Sequence, residues 1–421
     1  MNLGARAKPF GISKRDVWVA YKRVKANRGA AGVDGQSIAG FEEKLEANLY
    51  KLWNRLASGS YFPPPVRRVE IPKGDGRTRP LGIPTVADRI AQMVVKNFLE
   101  PILEPHFHAD SYGYRPGKSA KDALGVCRQR CWRYDWALDL DIKSFFETID
   151  HGLLMRAVRR HTTCTWALLY IERWLSAPTQ LANGSLVERT EGTPQGGVIS
   201  PLLANLYLHY AFDLWMTREF PDIPFERYAD DVICHCRSES DASQLKIAIE
   251  RRFAACNLTL HPEKTKIVYC KDDNRREEHP KVQFDFLGYT FRPRQAKAIT
   301  GTLFVGFNPG ISVKSATAIR QTMRGWKLQR RSDLQLEDLA RQVNPALRGW
   351  INYYGAYYRS ALIKVINHFD NILSRWAMRK YKNFKHRRRN AKRWVSGIAR
   401  RQPDLFSHWA TLRSSRMLGA V

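Results

Sequence analysis

The 421-residue chain is short of acids: 40 Asp and Glu stand against 69 Lys and Arg, a formal net charge of +29. A surplus of that size excludes cationic partners and is most simply balanced by a polyanion. Cysteine is scarce as well. Cys127, Cys131, Cys164, Cys234, Cys236, Cys256 and Cys270 are odd in number and form no CxxC pair, which argues against a disulfide framework and a four-cysteine zinc site. Long hydrophobic runs are missing. The most apolar long stretch, 201–215, is interrupted by His209 and Asp213, and no apolar segment follows a basic start at the N-terminus. No membrane span or secretory leader is therefore expected, and the chain is expected in a reducing, cytoplasmic compartment. Internal repeats and low-complexity tracts are also lacking. What remains is 44% hydrophobic, enough for sizeable cores and for roughly two to four domains.

The charge is unevenly spread. From Lys314 onward 24 Lys and Arg meet 5 Asp and Glu, a net of +19, which leaves +10 for the longer N-terminal part. The basic residues there alternate with aromatics: Trp350, Tyr353, Tyr354, Tyr357 and Tyr358, then Trp376, Tyr381, Phe384 and Trp394. Cations neutralise phosphates and aromatic faces stack on bases, so the composition suits RNA or single-stranded nucleic acid. A solvated helical surface over an aromatic core is the bland alternative. The run Lys385-His386-Arg387-Arg388-Arg389 has no acid nearby, and this weighs against it.

Apolar spacing over 14–57 reads as helices broken by a glycine-bearing loop at 29–35. Residues 67–72 and 78–83 read as the arms of a hairpin about Gly74-Asp75-Gly76, with Lys73 and Arg79 on opposite arms. A helix is expected over 88–103 and a half-buried strand over 136–142. Residues 192–197 form a glycine-rich loop, after which Ser200 suits an N-cap and Pro201 a first helical turn. Two short strands, 225–228 and 232–236, flank a pair of acids. A charged loop at 271–281 leads to a strand at 284–291, and the chain is expected to be mostly helical from about Ser315.

That pair of acids lies in Tyr228-Ala229-Asp230-Asp231. Adjacent residues of an extended strand face opposite sides, so a turn is needed to set either beside another carboxylate. An ionised acid enclosed by apolar strands is costly without a cation. Asp141, ending the apolar strand at 136–142, supplies a third acid. Acids so placed suit two divalent ions ~3.5–4 Å apart, which activate an attacking hydroxyl and stabilise a leaving pyrophosphate.

The order of three features is informative: an acid-ended strand followed by Phe145-Phe146, then Gly192-Thr193-Pro194-Gln195-Gly196-Gly197, then Tyr228-Ala229-Asp230-Asp231. Together they resemble the palm of a reverse transcriptase. Nearly the whole chain is similar to the group II intron reverse transcriptase/maturases. Its N-terminal extension is matched by 27–35 (Asn-Arg-Gly-Ala-Ala-Gly-Val-Asp-Gly) and its fingers by Ile71-Pro72-Lys73 and 79–84. Further matches are Ser111-Tyr112-Gly113-Tyr114-Arg115-Pro116, Phe286-Leu287-Gly288-Tyr289 and, for the maturase-specific region, 347–354 (Leu-Arg-Gly-Trp-Ile-Asn-Tyr-Tyr).

The resemblance implies an α+β right-hand polymerase with fingers, a palm built on an antiparallel sheet, and an α-helical thumb and maturase domain. The divisions expected are an N-terminal extension at 1–60, fingers and palm at 61–313, thumb and maturase-specific region at 314–385, and a basic tail at 386–421. It implies RNA-directed DNA synthesis with two Mg2+ ions, held by Asp141 and Asp230 with Asp231 as third carboxylate and the Ile142 carbonyl as a supplementary ligand. Phe146 becomes the gate against a 2′-hydroxyl. Lys73 and Arg79 become the grip on the incoming triphosphate, Gln195 a neighbour of the nascent base pair, and Lys264, with Lys266 as competitor, the basic group near pyrophosphate. Arg387, Arg388 and Arg389 are expected to bind RNA. Implied partners are a group II intron RNA, an RNA template with a DNA primer, a DNA target and dNTPs. The form lacking a cysteine-stapled endonuclease is expected, since no cysteine follows Cys270. Two other readings stay open: a splicing factor without polymerase activity, and a domesticated reverse transcriptase in host defence or repair.

Overall fold

Alternation of side chains on Val66–Pro72 and Thr78–Ile83 builds the expected antiparallel hairpin, with Ile71 opposite Arg79 and Pro72 opposite Thr78. The computed structural model describes residues 8–72, 78–298 and 300–410; Lys73 and the Gly74-Asp75-Gly76 turn lie outside the described residues. Two compact units divide the chain, Met1–Ala123 with Leu138–Lys266, and Leu124–Ala137 with Ile267–Val421.

In the first unit the helix Lys14–Asn27 opens with a full capping box between Ser13 and Asp16. It buries Val17, Tyr21 and Val24 and packs on the helix Val86–Leu103. Arg89 of that helix donates to the Ala30 carbonyl at 2.8 Å and pins the 29–35 loop. Asp88, one residue earlier, is fully buried. It accepts from Tyr61 (2.8 Å), Trp174 (2.7 Å) and Gln92 (2.9 Å), and Gln92 in turn accepts the Val198 amide at 2.7 Å. Polar groups in this core are thus joined into one network ending at the glycine-rich loop. Phe225–Tyr228 and Asp231–Cys236 pair antiparallel, Tyr228 facing Asp231, and the strand Trp136–Leu140 lies next to Asp231–Cys236 in the sheet.

The strand ending in Asp141 is shorter than expected. It stops at Leu140, and Ile142 makes only an isolated bridge to Leu260. Ser200 is the first helical residue rather than the cap: Ile199 holds the cap position, and the Ser200 hydroxyl is engaged with Thr193 at 2.9 Å.

The second unit holds a three-stranded antiparallel sheet and a helical body. The single strand expected at 284–291 is two, Phe284–Phe286 and Tyr289–Lys297, because Leu287 and Gly288 take positive φ (50° and 80°) and reverse the chain. Tyr289–Lys297 also pairs along its length with Leu303–Ile311, a strand the sequence reading missed. Its internal Gly306, Pro309 and Gly310 weaken every strand signal. Helices follow at Val313–Gly325, Leu336–Tyr354, Arg359–Lys380 and Arg388–Arg401. Their core gathers Leu339, Val343, Leu347, Phe369 and Trp376, and it includes Ala391 and Val395. Residues 388–401, expected as part of a tail, are therefore a packed helix of this unit. No helix among the described residues is long and apolar enough to cross a membrane.

Candidate functional site

Asp230 and Asp231 are placed by the residues before them. Arg227 sits in a strand whose side chains are enclosed and is itself wholly buried. A charge there needs partners. Its Nε and Nη2 donate to the two carboxylate oxygens of buried Asp213 at 2.7 and 2.6 Å, and Nη1 donates to Asn205 (3.0 Å) and to the Ala229 carbonyl (3.1 Å). Asn205 donates in turn to the Gly113 carbonyl at 2.6 Å. The Ala229 contact holds that residue at φ +58°, which L side chains avoid. This left-handed residue is the turn the adjacent acids require. Gly113 lies against it so closely that an added Cβ would be 2.3 Å from the Ala229 nitrogen. Glu226, the other inward charge of the strand, is paired with buried His235 at 2.6 Å.

Asp141 reaches the same place from the neighbouring strand. Its carbonyl accepts the His261 amide at 2.7 Å, and its carboxylate accepts from Lys264 Nζ at 3.2 and 3.3 Å. The Lys143 amide donates to the Thr259 carbonyl at 2.9 Å, so the Ile142 carbonyl takes no part in its bridge to Leu260 and is left for another ligand. Lys266, by contrast, begins the next strand and has no ion-pair partner among the described residues.

Burial raises the Asp230 carboxyl above the usual carboxylate range, and the Asp141 charge adds to this while Arg79 opposes it. Asp231 is open to solvent on one side yet ringed by protein. Burial, then repulsion from Asp230 and Asp141, pushes it up to about 6, against the pull of Lys264 and Arg79. The three carboxylates do not close to within 4.8 Å of one another. An all-oxygen donor set of like charges fits a hard divalent cation.

Arg79 Nε donates to Gln195 Oε1 at 2.5 Å, and the Gly82 amide donates to the Gln195 carbonyl at 2.6 Å. Gly196 makes this approach possible: a Cβ there would sit 2.5 Å from the Gly82 oxygen. The Thr193 amide binds the Phe146 carbonyl at 2.7 Å. Phe146, buried and edge-on to Phe145, lines a cavity of about 170 Å³ with Pro80, Gly82, Gly192 and Gln195. The structure thus sets Phe146 and Gln195 around one cleft, bonds Arg79 to Gln195 and Lys264 to Asp141, while Lys73 lies outside the described residues. Arg387, Arg388 and Arg389 belong to the second unit. All three are exposed, and their side chains form no ion pair among the described residues.

The sequence reading missed Arg227, Asp213 and Tyr114. Tyr114, at φ +58° and half exposed, has its hydroxyl raised by burial and by the Asp230 charge. The Arg in a short enclosed strand was the signal for the first two.

Residues 71–291 match the family described as reverse transcriptase (RNA-dependent DNA polymerase), and residues 316–394 match the group II intron maturase-specific domain. Protein YkfC of Escherichia coli is 34% identical over 281 residues, covering 57% of this chain and 73% of its own. Group II intron-encoded protein LtrA of Lactococcus lactis is 38% identical over 196 residues, 46% of this chain; the match spans 32% of LtrA, about a third of its length. The uncharacterized 91 kDa protein in cob intron of Schizosaccharomyces pombe is 31% identical over 204 residues, 48% of this chain and 25% of that one.

Two outcomes follow from the geometry. Asp213→Ala leaves the Arg227 charge buried and unpaired and is expected to cost about 3–5 kcal/mol in denaturant unfolding. Asp213→Leu with Arg227→Met removes both charges and is expected to cost clearly less; an equal loss would assign the effect to packing. Asp231, raised from 3.8 to about 6, binds its proton more tightly folded than unfolded. Its contribution is therefore full below pH ~4 and lost as pH rises through about 6. In EDTA, Asp231→Asn is expected to gain thermal stability over the parent as pH goes from 5 to 7, and Mg2+ to narrow the gap; a gap independent of pH counts against it.

Proposed function

The chain belongs to the reverse transcriptases of the group II intron type, RNA-directed DNA polymerases that carry a maturase-specific domain, and we propose that it copies RNA into DNA at the Asp141–Asp230–Asp231 site with two magnesium ions. The observation that carries this reading is the Tyr228–Asp231 turn, which a buried ion pair holds so that two acids project beside a third. Asp141, Asp230, Asp231 and the Ile142 carbonyl would hold the ions. When bound, these supply a lowered pKa for the primer 3′-hydroxyl and charge compensation for the leaving pyrophosphate.

The side chains of this chain do the rest. Arg79, bonded to Gln195, offers a guanidinium to the incoming triphosphate, and Lys73, outside the described residues, is its proposed partner. Lys264, bonded to Asp141 through Nζ, is our choice for the basic group that meets pyrophosphate. Phe146 walls the cavity beside Gly192 and Gln195, where a 2′-hydroxyl on the incoming sugar would have to fit. The persistence of all three acids favours a working polymerase over a splicing factor that has lost it.

We propose further that the chain binds its own intron RNA, assists its splicing, and returns the intron to a DNA target, in a cytoplasmic setting. RNA contacts fall to the helical unit, including Arg387, Arg388 and Arg389. Arg388 and Arg389 lie in the first turn of a helix with no acid in that turn, so two cations sit at the positive end of the helix dipole. Each such cation costs about 0.3–1 kcal/mol, which a phosphate relieves.

Asp230→Asn is expected to lower Mg2+-dependent primer extension on an RNA template by about a thousandfold, roughly 4 kcal/mol, with RNA affinity near the parent value. Extension at the parent rate would remove the assignment. Phe146→Ala is expected to reduce the dNTP-over-rNTP preference in single-nucleotide kinetics by at least about tenfold. An unchanged preference would leave Phe146 a packing residue.

A further inference from the structure

The first unit carries a second concentration of positive groups that the polymerase site does not use. It is built around a π-helical turn, His209–Asp213, inside the helix that follows the glycine-rich loop. A π turn leaves carbonyls without their usual partners, and here Arg252 covers two, donating to Tyr210 O at 2.8 Å and Ala211 O at 3.1 Å. The turn directs Asp213 inward to Arg227 and leaves His209 at the wall of a cavity of about 780 Å³.

That wall is lined by His106, His161, His209, Arg160 and Arg218 beside Tyr210, with no carboxylate among the lining residues. His209 is almost fully buried, and its Nδ1 has no hydrogen-bond partner; the nearest acid, Asp213, is 3.9 Å away and already holds Arg227. His106 and His161 face each other with ring centroids 4.6 Å apart, and Tyr210 bonds His161 Nε2 at 2.8 Å. Arg160 and Arg218 are exposed and form no ion pair among the described residues; Glu104 is held by Arg115 and Glu172 by Arg159, while Glu219 follows Arg218 at the end of its helix. A neighbouring cavity of about 410 Å³ shares Arg160 and Tyr210 and adds Arg156 and Arg252.

Guanidinium groups beside the histidines repel a metal ion, and the three rings are not gathered to ligand distance. Burial, with the neighbouring positive groups adding to it, lowers the His161 and His209 pKa values, His209 to about 4. Two neighbouring cavities that share Arg160 and Tyr210, with cations along both, suit successive phosphates of one strand better than a single small anion.

We propose that this cleft is a second nucleic-acid site of the first unit, in which Arg156, Arg160 and Arg218 contact the phosphates of an RNA segment that does not enter the polymerase centre. The proposal rests on the reading of the chain as an RNA-binding polymerase, and none of its residues belongs to the carboxylate site.

The test uses the full chain, a poly(U) oligomer as probe, and affinity measured against salt. Arg160→Ala with Arg218→Ala is expected to flatten the dependence of log K on log salt by about 1.4–1.8, at 0.7–0.9 per phosphate contact. Arg160→Lys with Arg218→Lys is expected to keep most of the slope, and primer extension at saturating template–primer is expected to stay at the parent rate in both. A parental slope in the alanine variant overturns the proposal. So does a parental slope accompanied by a changed sedimentation coefficient, which would make the cleft a contact between copies of the chain. Loss of extension in the parent protein itself would remove the polymerase reading while leaving a flattened slope in force, so the two failures are distinguishable.

Discussion

The buried pair between Arg227 and Asp213 is the constraint on which the rest of the site depends. Two acids adjacent in sequence cannot both face a third from an extended strand. The chain solves this by forcing Ala229 into a left-handed conformation, and Arg227 holds it there through the Ala229 carbonyl. The same guanidinium reaches Gly113 by way of Asn205, tying the 111–116 segment to the turn. A buried ion pair adds little net stability against apolar replacements. Its worth here is geometric, since it fixes one backbone conformation that no apolar pair would impose.

A division follows between groups that position and groups that react. The positioning residues are buried and fully engaged: Asp88 accepts three hydrogen bonds, Gln92 anchors the glycine-rich loop, and Arg227 makes four. The residues proposed to react are half-buried or exposed. Asp230 and Asp231 repel each other, and among the described residues Asp141 has Lys264 as its one counter-charge within bonding distance. That tension is electrostatic strain stored against a rigid frame, and a divalent cation is the species that relieves it.

Much of this was legible because the informative residues are local in sequence. The 67–72 and 78–83 arms, the 225–228 and 232–236 strands and the glycine-rich loop follow from alternation and turn chemistry alone. The failures share a cause as well. Leu303–Ile311 was missed because two glycines and a proline sit in a strand that pairs along its whole length with Tyr289–Lys297, so tertiary pairing overrides propensity. Leu287-Gly288 splits a strand that hydrophobicity alone makes continuous. Ser200 fits a cap by composition, yet its hydroxyl is spent on Thr193. The π turn at 209–213 carries no pattern at all. It is visible only once Arg252 is seen covering its carbonyls and Arg227 holding its acid.

The placement of the cations completes the argument. A protein that needs charge only for solubility intersperses acids with its bases, as Arg159 with Glu172 or Arg115 with Glu104 do here. Arg160, Arg218, Arg387, Arg388 and Arg389 have no such partner among the described residues, and two of them stand where a helix dipole opposes them. Leaving like charges unscreened beside one another raises the free energy of the isolated protein. The fold tolerates this in both of its units, around the π turn in one and at the last long helix in the other. A long polyanion is the ligand that can return that energy in more than one place, and folded RNA presents its phosphates over such distances.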